Sequence, residues 1–499
     1  MNVQLQRGFR GFSIFFLTLS IFLWGAASGY AQGSNLGRDQ DPMVVSGEPL
    51  KGLWGAKLPK LRLMSEQGGK LVPVPFQIDK VDVDGKYIIA GQTVPPEVAK
   101  EVGFEEPPES EKRQKRIKAF EKSRKDWEKK FAGEKDAAQK LEQQRAQAYF
   151  EERDDELDYN DELVFMAKDA GAKVDRAKWP VPRGIELELR DPVAGGTGWL
   201  YLIDYANADT PPLSASDYVT YKPQGDMVES TTLRLDFVDD KPLVLEGGYP
   251  RKNGKELPNL VDRFKMRITL KPWPFFCASL DFDENNIRAV TLGYKDGPVR
   301  VIRRNLFWLV IAGIKLPFIP QAFVYYTFYE NGVMGPTEIR NPIDPKKILC
   351  KGSVGGGGID FRSNMTGARV YTPSKSETKA LNVRFDEKRQ DVALDHQYSV
   401  VALRDSDGTA FLIRVEQGPE LKAAGVNQQL FLTDNPEVKM KPEVEPGARY
   451  TGFGVNVLQV PKGVFYLYFY MYLVNDFKAG DEAKFMNILD KPVEVKTNI

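Results

Sequence analysis

Histidine is almost missing from this chain: His396 is the one copy in 499 residues. Cysteine occurs twice, as Cys277 and Cys350. Neither a histidine-rich zinc centre nor a cysteine cluster can be assembled from so few ligands. A Ser-His-Asp hydrolase would have to use His396, which stands in Leu394-Asp-His-Gln-Tyr398 with no nucleophile motif beside it. It reads as a surface or strand-end residue. Net charge is missing too, since 69 basic residues balance 69 acidic ones. Nucleic-acid binders carry a basic excess to neutralise phosphates, so the balance argues against that partner class. The four glycines at 355–358 lack the Gly-Lys-Ser/Thr ending of a phosphate-binding loop and read as a flexible connector. No metal and no cofactor is expected.

Long hydrophobic runs are also scarce. The clearest one lies at the start, where Arg7 and Arg10 precede an apolar stretch over residues 12–27. It falls short of the roughly 20 residues of a membrane span. Small residues then lead to Gly29-Tyr-Ala31 before Gln32. A positive start, a short apolar middle and a small-x-small exit make residues 1–31 a secretory signal peptide, cleaved after Ala31. Retention as an anchor is the alternative. The expected location is periplasmic or extracellular, with no transmembrane span once the signal is removed. The second apolar run, residues 306–314, is too short to cross a bilayer and reads as part of a buried strand pair.

What remains has an ordinary globular balance, 42% hydrophobic and 28% charged. Residues 32–42 read as a flexible lead-in. From Gly52 onward, short apolar stretches alternate with Gly, Pro and Asp. In Ile185-Glu-Leu-Glu-Leu189 the apolar positions recur every second residue, the signature of a half-buried strand. Similar runs at 70–78, 199–205, 231–237, 264–270 and 299–303 predict antiparallel β structure rather than βαβ units. The runs 399–403 and 409–415, joined through Asp407-Gly408, predict a hairpin. The expected fold is mainly β: two antiparallel sandwich or barrel domains over 43–275 and 276–499.

One block departs from the pattern. Residues 109–153 are rich in Lys, Glu, Gln and Ala, all good helix formers. Ile117, Phe120, Trp127 and Phe131 fall along one helical face. Residues 111–130 hold ten basic and four acidic side chains, whereas 131–158 hold four basic and nine acidic. Folded back at Gly133, the halves would pair with opposite charge. A charged helical hairpin inserted into the first β domain is the expectation. One long helix is the alternative.

The sharpest strand is residues 464–474. Phe465, Leu467, Phe469, Met471 and Leu473 alternate with Tyr466, Tyr468, Tyr470 and Tyr472. The tyrosine face is the candidate ligand surface, because a row of rings with hydroxyl edges suits stacking on sugars. Burial of the same face against another layer is the competing reading, with Tyr468 and Tyr470 expected inside and the ends partly exposed. Cys277 and Cys350 either form a disulfide, which an oxidising compartment permits, or stand as two buried thiols. The acidic clusters at 79–84, 154–162 and 281–284 do not satisfy an EF-hand loop and read as turns and caps.

Two segments, Val72-Pro-Val-Pro-Phe-Gln-Ile-Asp79 and Leu157-Asp-Tyr-Asn-Asp-Glu-Leu-Val-Phe-Met166, together resemble a motif pair of exported bacterial β proteins, mostly uncharacterised. The pair is also similar to the N-terminal barrel of rhamnogalacturonan-lyase-like proteins. Residues 480–493 resemble a closing segment in the same group. The resemblance implies a short connection between the two motifs, which makes residues 90–153 an insertion; it transfers no catalytic residue. Asp79 and Asp161 are expected to form turns or cap strand ends. The leading functional expectation is a non-catalytic binding or structural protein of the cell envelope, partnered by a glycan or another envelope protein. A polysaccharide-acting, lyase-like enzyme working through Tyr, Lys, Arg and carboxylates is the alternative.

Overall fold

The structure is a computed structural model describing residues 34–82, 85–89, 94–103, 155–239, 241–311, 313–315, 320–365, 368–371, 383–384, 390–394, 397–404, 407–433, 445, 449–478 and 480–498. The signal peptide, the helical insertion at 109–153 and His396 lie outside the described residues.

The chain is mainly β, with every pairing between named strands antiparallel. Among the described residues the strands form five sheets. Two small ones share a core near the N-terminus. In one, Pro42–Ser46 and Gln77–Asp79 flank Glu162–Met166. The other runs Glu494–Asn498, Gly184–Arg190, Thr197–Asp204, Leu61–Gln67 and Lys70–Pro73. Leu163, Phe165, Leu61, Leu63, Leu187 and Leu200 meet between them. The two resemblance motifs are therefore neighbouring strands, with Asp79 opposite Glu162.

A ten-stranded sheet dominates the remainder. Its centre runs Val301–Ile311, Gln321–Tyr329, Gly332–Asn341, Gly463–Val474 and Thr409–Gln417. A six-stranded sheet, built around Val261–Leu270, Val354–Phe361 and Arg449–Asn456, packs against one face of it. A five-stranded meander, residues 219–256, closes the same core. Val324, Phe328, Phe361, Phe411 and Leu473 fill the space between layers. Arg303 is buried in the sandwich, where it pairs with Asp226 and lies 4.2 Å from the centre of the Phe237 ring. Among the described residues strand pairing crosses residue 275 in three places: Val261–Leu270 joins both Leu280–Phe282 and Val354–Phe361, and Glu494–Asn498 returns to Gly184–Arg190.

Three expectations are corrected here. The lead-in is anchored over residues 34–41: Leu36 is buried in the N-terminal core, and Arg38 bonds Asp41 and, at 2.9 Å, Asp191. Ser34, Asn35 and Gln40 add hydrogen bonds to Thr197 and Asn331, so a segment whose composition suggests a loose tail is tied down along its length. Asp79 forms no turn; its carboxylate is buried between Arg300 and Lys295 at 2.7 Å from each. The 355–358 glycines are no connector but the middle of Val354–Phe361, paired on both sides. A Cβ on Gly358 would stand 2.1 Å from the Thr451 carbonyl oxygen and 2.4 Å from the Gly452 Cα. Glycine is there because backbone approaches backbone.

That closeness makes a prediction. Gly358→Ala should destabilise the protein by about 1–3 kcal/mol or more through overpacking. Gly355→Ala, whose Cβ would meet side-chain methyl and methylene groups at 3.3 and 3.7 Å, should cost clearly less. Equal shifts in denaturation midpoint for the two variants would contradict the packing described.

Candidate functional site

The strand Gly463–Val474 divides its side chains as its alternation predicts. Phe469, Met471 and Leu473 face the sandwich core. The tyrosines occupy the opposite face of the large sheet. Close approach of the neighbouring strand depends on small residues: a Cβ on Gly332 would stand 2.3 Å from the Met471 carbonyl oxygen and 2.8 Å from the Tyr472 ring.

Burial along the ladder is graded rather than central. Tyr472 is 3% exposed, while Tyr470, Tyr468 and Tyr466 are half-buried. The cause is the helix Glu482–Asp490, which lies over one end. Its Phe485 ring sits 5.3 Å from that of Tyr472, with Phe477 and Ile488 completing the cluster. Arg414 ties this helix down, donating to Asp490 at 2.8 Å and to Glu416 at 2.7 Å. The Tyr472 hydroxyl is buried with no hydrogen-bond partner among the described residues.

Beyond the helix the ladder opens. The Tyr466 and Tyr468 rings are stacked, 6.4 Å apart and inclined by 18°. Across the strand on one side stand Pro336, opposite Tyr468, and Glu338, opposite Tyr466. Glu338 accepts from Arg340 at 2.6 Å, and the Arg340 guanidinium lies 4.7 Å from the Phe323 ring centre. On the other side Glu416 is opposite Tyr468, and Gly418 donates its N–H to the Tyr466 carbonyl at 2.8 Å. The stacked rings thus share a surface with Glu338, Glu416 and Arg340. Rings of this kind offer apolar faces to a flat ligand, and the charged groups offer hydrogen bonds at its rim.

The phenols are held in their neutral form. Burial and the nearby Glu338 carboxylate raise the Tyr466 pKa; burial, Glu420 and Glu416 raise that of Tyr468. Burial and Glu416 push Tyr470 up to about 12.

Cys277 and Cys350 are joined in a disulfide where the segment after Val261–Leu270 meets the segment before Val354–Phe361. No group of three or more His, Cys, Asp or Glu converges as a metal site among the described residues. No family model matches the chain, and no curated protein matches it. Among solved structures, an alpha-mannosidase from Enterococcus faecalis V583 aligns over 63% of this chain and 38% of its own, at 9% identity and a TM-score of 0.38. An alpha-N-acetylgalactosaminidase from Bifidobacterium bifidum aligns over 52% and 38%, at 10% identity and 0.31. A galactose mutarotase related enzyme from Lactobacillus acidophilus aligns over 52% and 98%, at 11% identity and 0.26. The chain spans well under half the length of the first two. These are distant likenesses among β-rich proteins, and they assign no role to any residue of this chain.

A second cluster lies in the motif pair, where sequence reasoning names the acids and misses their partner Lys80. Lys80 donates to Asp158 at 2.7 Å and to Asp161 at 3.0 Å. Asp161 also accepts from the Asp158 N–H at 2.9 Å, so its expected turn role holds. Burial and the adjacent Asp158 push the Asp161 carboxyl up to about 7, against the pull of Lys80.

Two predictions follow from these placements. An unfolded aspartate titrates near pH ~4, so between about pH 4 and pH 7 the folded chain binds the extra proton at Asp161 and loses stability as pH rises. Asp161→Asn should flatten the slope of melting temperature against pH in that window; an unchanged slope would remove Asp161 as its source. Tyr472→Ala should cost about 3–5 kcal/mol, in the range of buried aromatic truncations. Tyr466→Ala should cost about 1 kcal/mol or less, and chemical denaturation compares the two.

Proposed function

We propose that this chain is an exported binding protein of the cell envelope that holds a glycan against Tyr466 and Tyr468 without cleaving it. The observation that carries the reading is the stacked, half-open ring pair flanked by Glu338, Arg340 and Glu416. A sugar ring presents C–H groups on its face and hydroxyls around its edge. The tyrosines suit the face, and the carboxylates and guanidinium suit the edge.

The lyase alternative draws on the same residue types, but it needs a group that removes a proton. A tyrosine serves as base only when its pKa falls toward neutrality. Here burial and carboxylates move Tyr466, Tyr468 and Tyr470 the other way. The face favours holding a ligand over deprotonating it. Export is supported by the signal-like residues 1–31, by the motif pair and by the Cys277–Cys350 disulfide, a bond characteristic of oxidising compartments. N-terminal sequencing of the mature protein tests it, with Gln32 as the expected first residue.

The test of function is a panel of neutral and acidic polysaccharides. Binding to at least one member should fall about tenfold or more in Tyr468→Ala, as expected when a ring supplying roughly 1.5–3 kcal/mol is removed. The melting temperature should change little, because Tyr468 lies at the open end. Release of unsaturated oligosaccharides from any member would replace this reading with the enzymatic one.

A further inference from the structure

The chain orders a group of large apolar side chains outside every core. Trp273–Phe275 forms a single helical turn after Pro272, and residues 273–279 are all exposed. Trp273 is 73% exposed, Phe275 51% and Phe276 97%. This is no loose loop. The Pro272 carbonyl accepts from the N–H groups of Phe275 and Cys277, both at 3.1 Å, and the Trp273 carbonyl accepts from Phe276 at 2.9 Å. The Cys277–Cys350 disulfide staples the turn to the neighbouring segment, and the Cys350 N–H donates to the Lys271 carbonyl at 2.8 Å. Phe276 and Cys277 both adopt positive φ, 55° and 58°, a region that side chains other than glycine enter at a cost. The fold thus holds Trp273, Phe275 and Phe276 outward rather than letting them collapse.

The surroundings are basic. Pro345–Ile348, the helical turn in the stapled segment, carries exposed Lys346 and Lys347, and Lys351 follows on the same stretch. The Lys271 ammonium reaches the same place, 3.1 Å from where a Cβ on Gly352 would stand. None of these four lysines has an ion-pair partner among the described residues. Two carboxylates, Asp281 and Asp344, stand in the same segments and accept from the Thr269 hydroxyl and the Lys346 N–H; the four lysines outnumber them. Aromatic side chains at a protruding tip, ringed by lysines on flexible stems, match the two zones of a lipid surface. Rings enter the boundary between headgroups and acyl chains, while ammonium groups remain with the anionic headgroups.

We propose that the disulfide-stapled turn at 273–277 docks this protein onto an anionic phospholipid surface, with Trp273, Phe275 and Phe276 entering the interface and Lys271, Lys346, Lys347 and Lys351 holding the headgroups. The proposal is independent of the glycan reading, because the tyrosine face belongs to another sheet.

Co-sedimentation of the mature, oxidised protein with vesicles tests it. One set is phosphatidylcholine alone; the other contains about one-third phosphatidylglycerol. The protein should partition onto the anionic set at low salt and be released as salt rises. Trp273→Ser combined with Phe276→Ser should reduce partitioning at least about tenfold, since two interfacial anchors are lost. Each of Lys346→Ala, Lys347→Ala and Lys351→Ala should weaken it about fivefold. The aromatic double variant should melt as the parent does, because neither ring is in a core, and Tyr468→Ala should bind vesicles normally. The proposal fails if the parent ignores anionic vesicles, if it binds neutral ones equally well, or if the aromatic double variant still partitions. It also fails if that variant instead abolishes self-association or polysaccharide binding, which would make the turn a protein or glycan contact.

Discussion

A single guanidinium, that of Arg300, locks the N-terminal β unit to the large sheet. It is 1% exposed, and its bonds go both ways: to Asp79 at 2.7 Å and to Glu162 on the N-terminal side, and to the Tyr329 hydroxyl at 3.1 Å on the other. Burial alone would raise the Asp79 carboxyl, but Arg300 and Lys295 hold it below the usual carboxylate range. Gln77 adds its side-chain oxygen to the Arg300 N–H at 2.9 Å. Removing the Arg300 side chain would leave the buried Asp79 with Lys295 alone, and breaking a buried pair of this kind costs about 3–5 kcal/mol. Desolvated charge tolerates little sliding, so the seam sets orientation as well as adhesion. Lys168 with Glu330 and Asn331 with the Gln40 carbonyl continue it with further directional bonds.

The strand that starts beside Arg300 shows how alternation assigns different work to like residues. Arg303 points into the sandwich, paired with Asp226 and surrounded by Phe237, Tyr326 and Phe328. Arg304 points the other way and lies over Phe323 and Tyr325 on the face that also carries the tyrosine ladder. That face is covered at both ends by helices. Pro96–Val102 packs through Val98 and Val102 on Leu306 and Trp308, and Glu482–Asp490 packs on Tyr472. The Tyr466–Tyr468 pair lies beyond the residues that the C-terminal helix covers.

Much of the β architecture was legible in the residues. Period-two alternation marked Gly184–Arg190 and both faces of Gly463–Val474, and the turn ending in Gly408, at φ 71°, joined its hairpin as read. Signals that depend on a distant partner were not legible. Asp79 looks like a turn residue until Arg300, 221 positions away, is placed beside it. The 355–358 glycines look like a linker until Thr451 and Gly452 are seen against them. The graded burial of the ladder depends on a nine-residue helix that follows the strand, and no periodicity within the strand reports where that helix lands. The run Arg300-Val-Ile-Arg-Arg-Asn305 was a hint of buried charge, three arginines close together beside Val301 and Ile302.

The return of Glu494–Asn498 to the first β unit has a temporal meaning. Val495 pairs with Leu189, and the Asn498 side-chain amide reaches Glu186 across 312 positions. The strand Gly184–Arg190 keeps one edge bare until residues 494–498 are available to pair with it. Long-range pairings of this kind form late, because loop closure must come first. The first β unit in chain order is thus among the last to be completed, because its edge strand comes from residues 494–498.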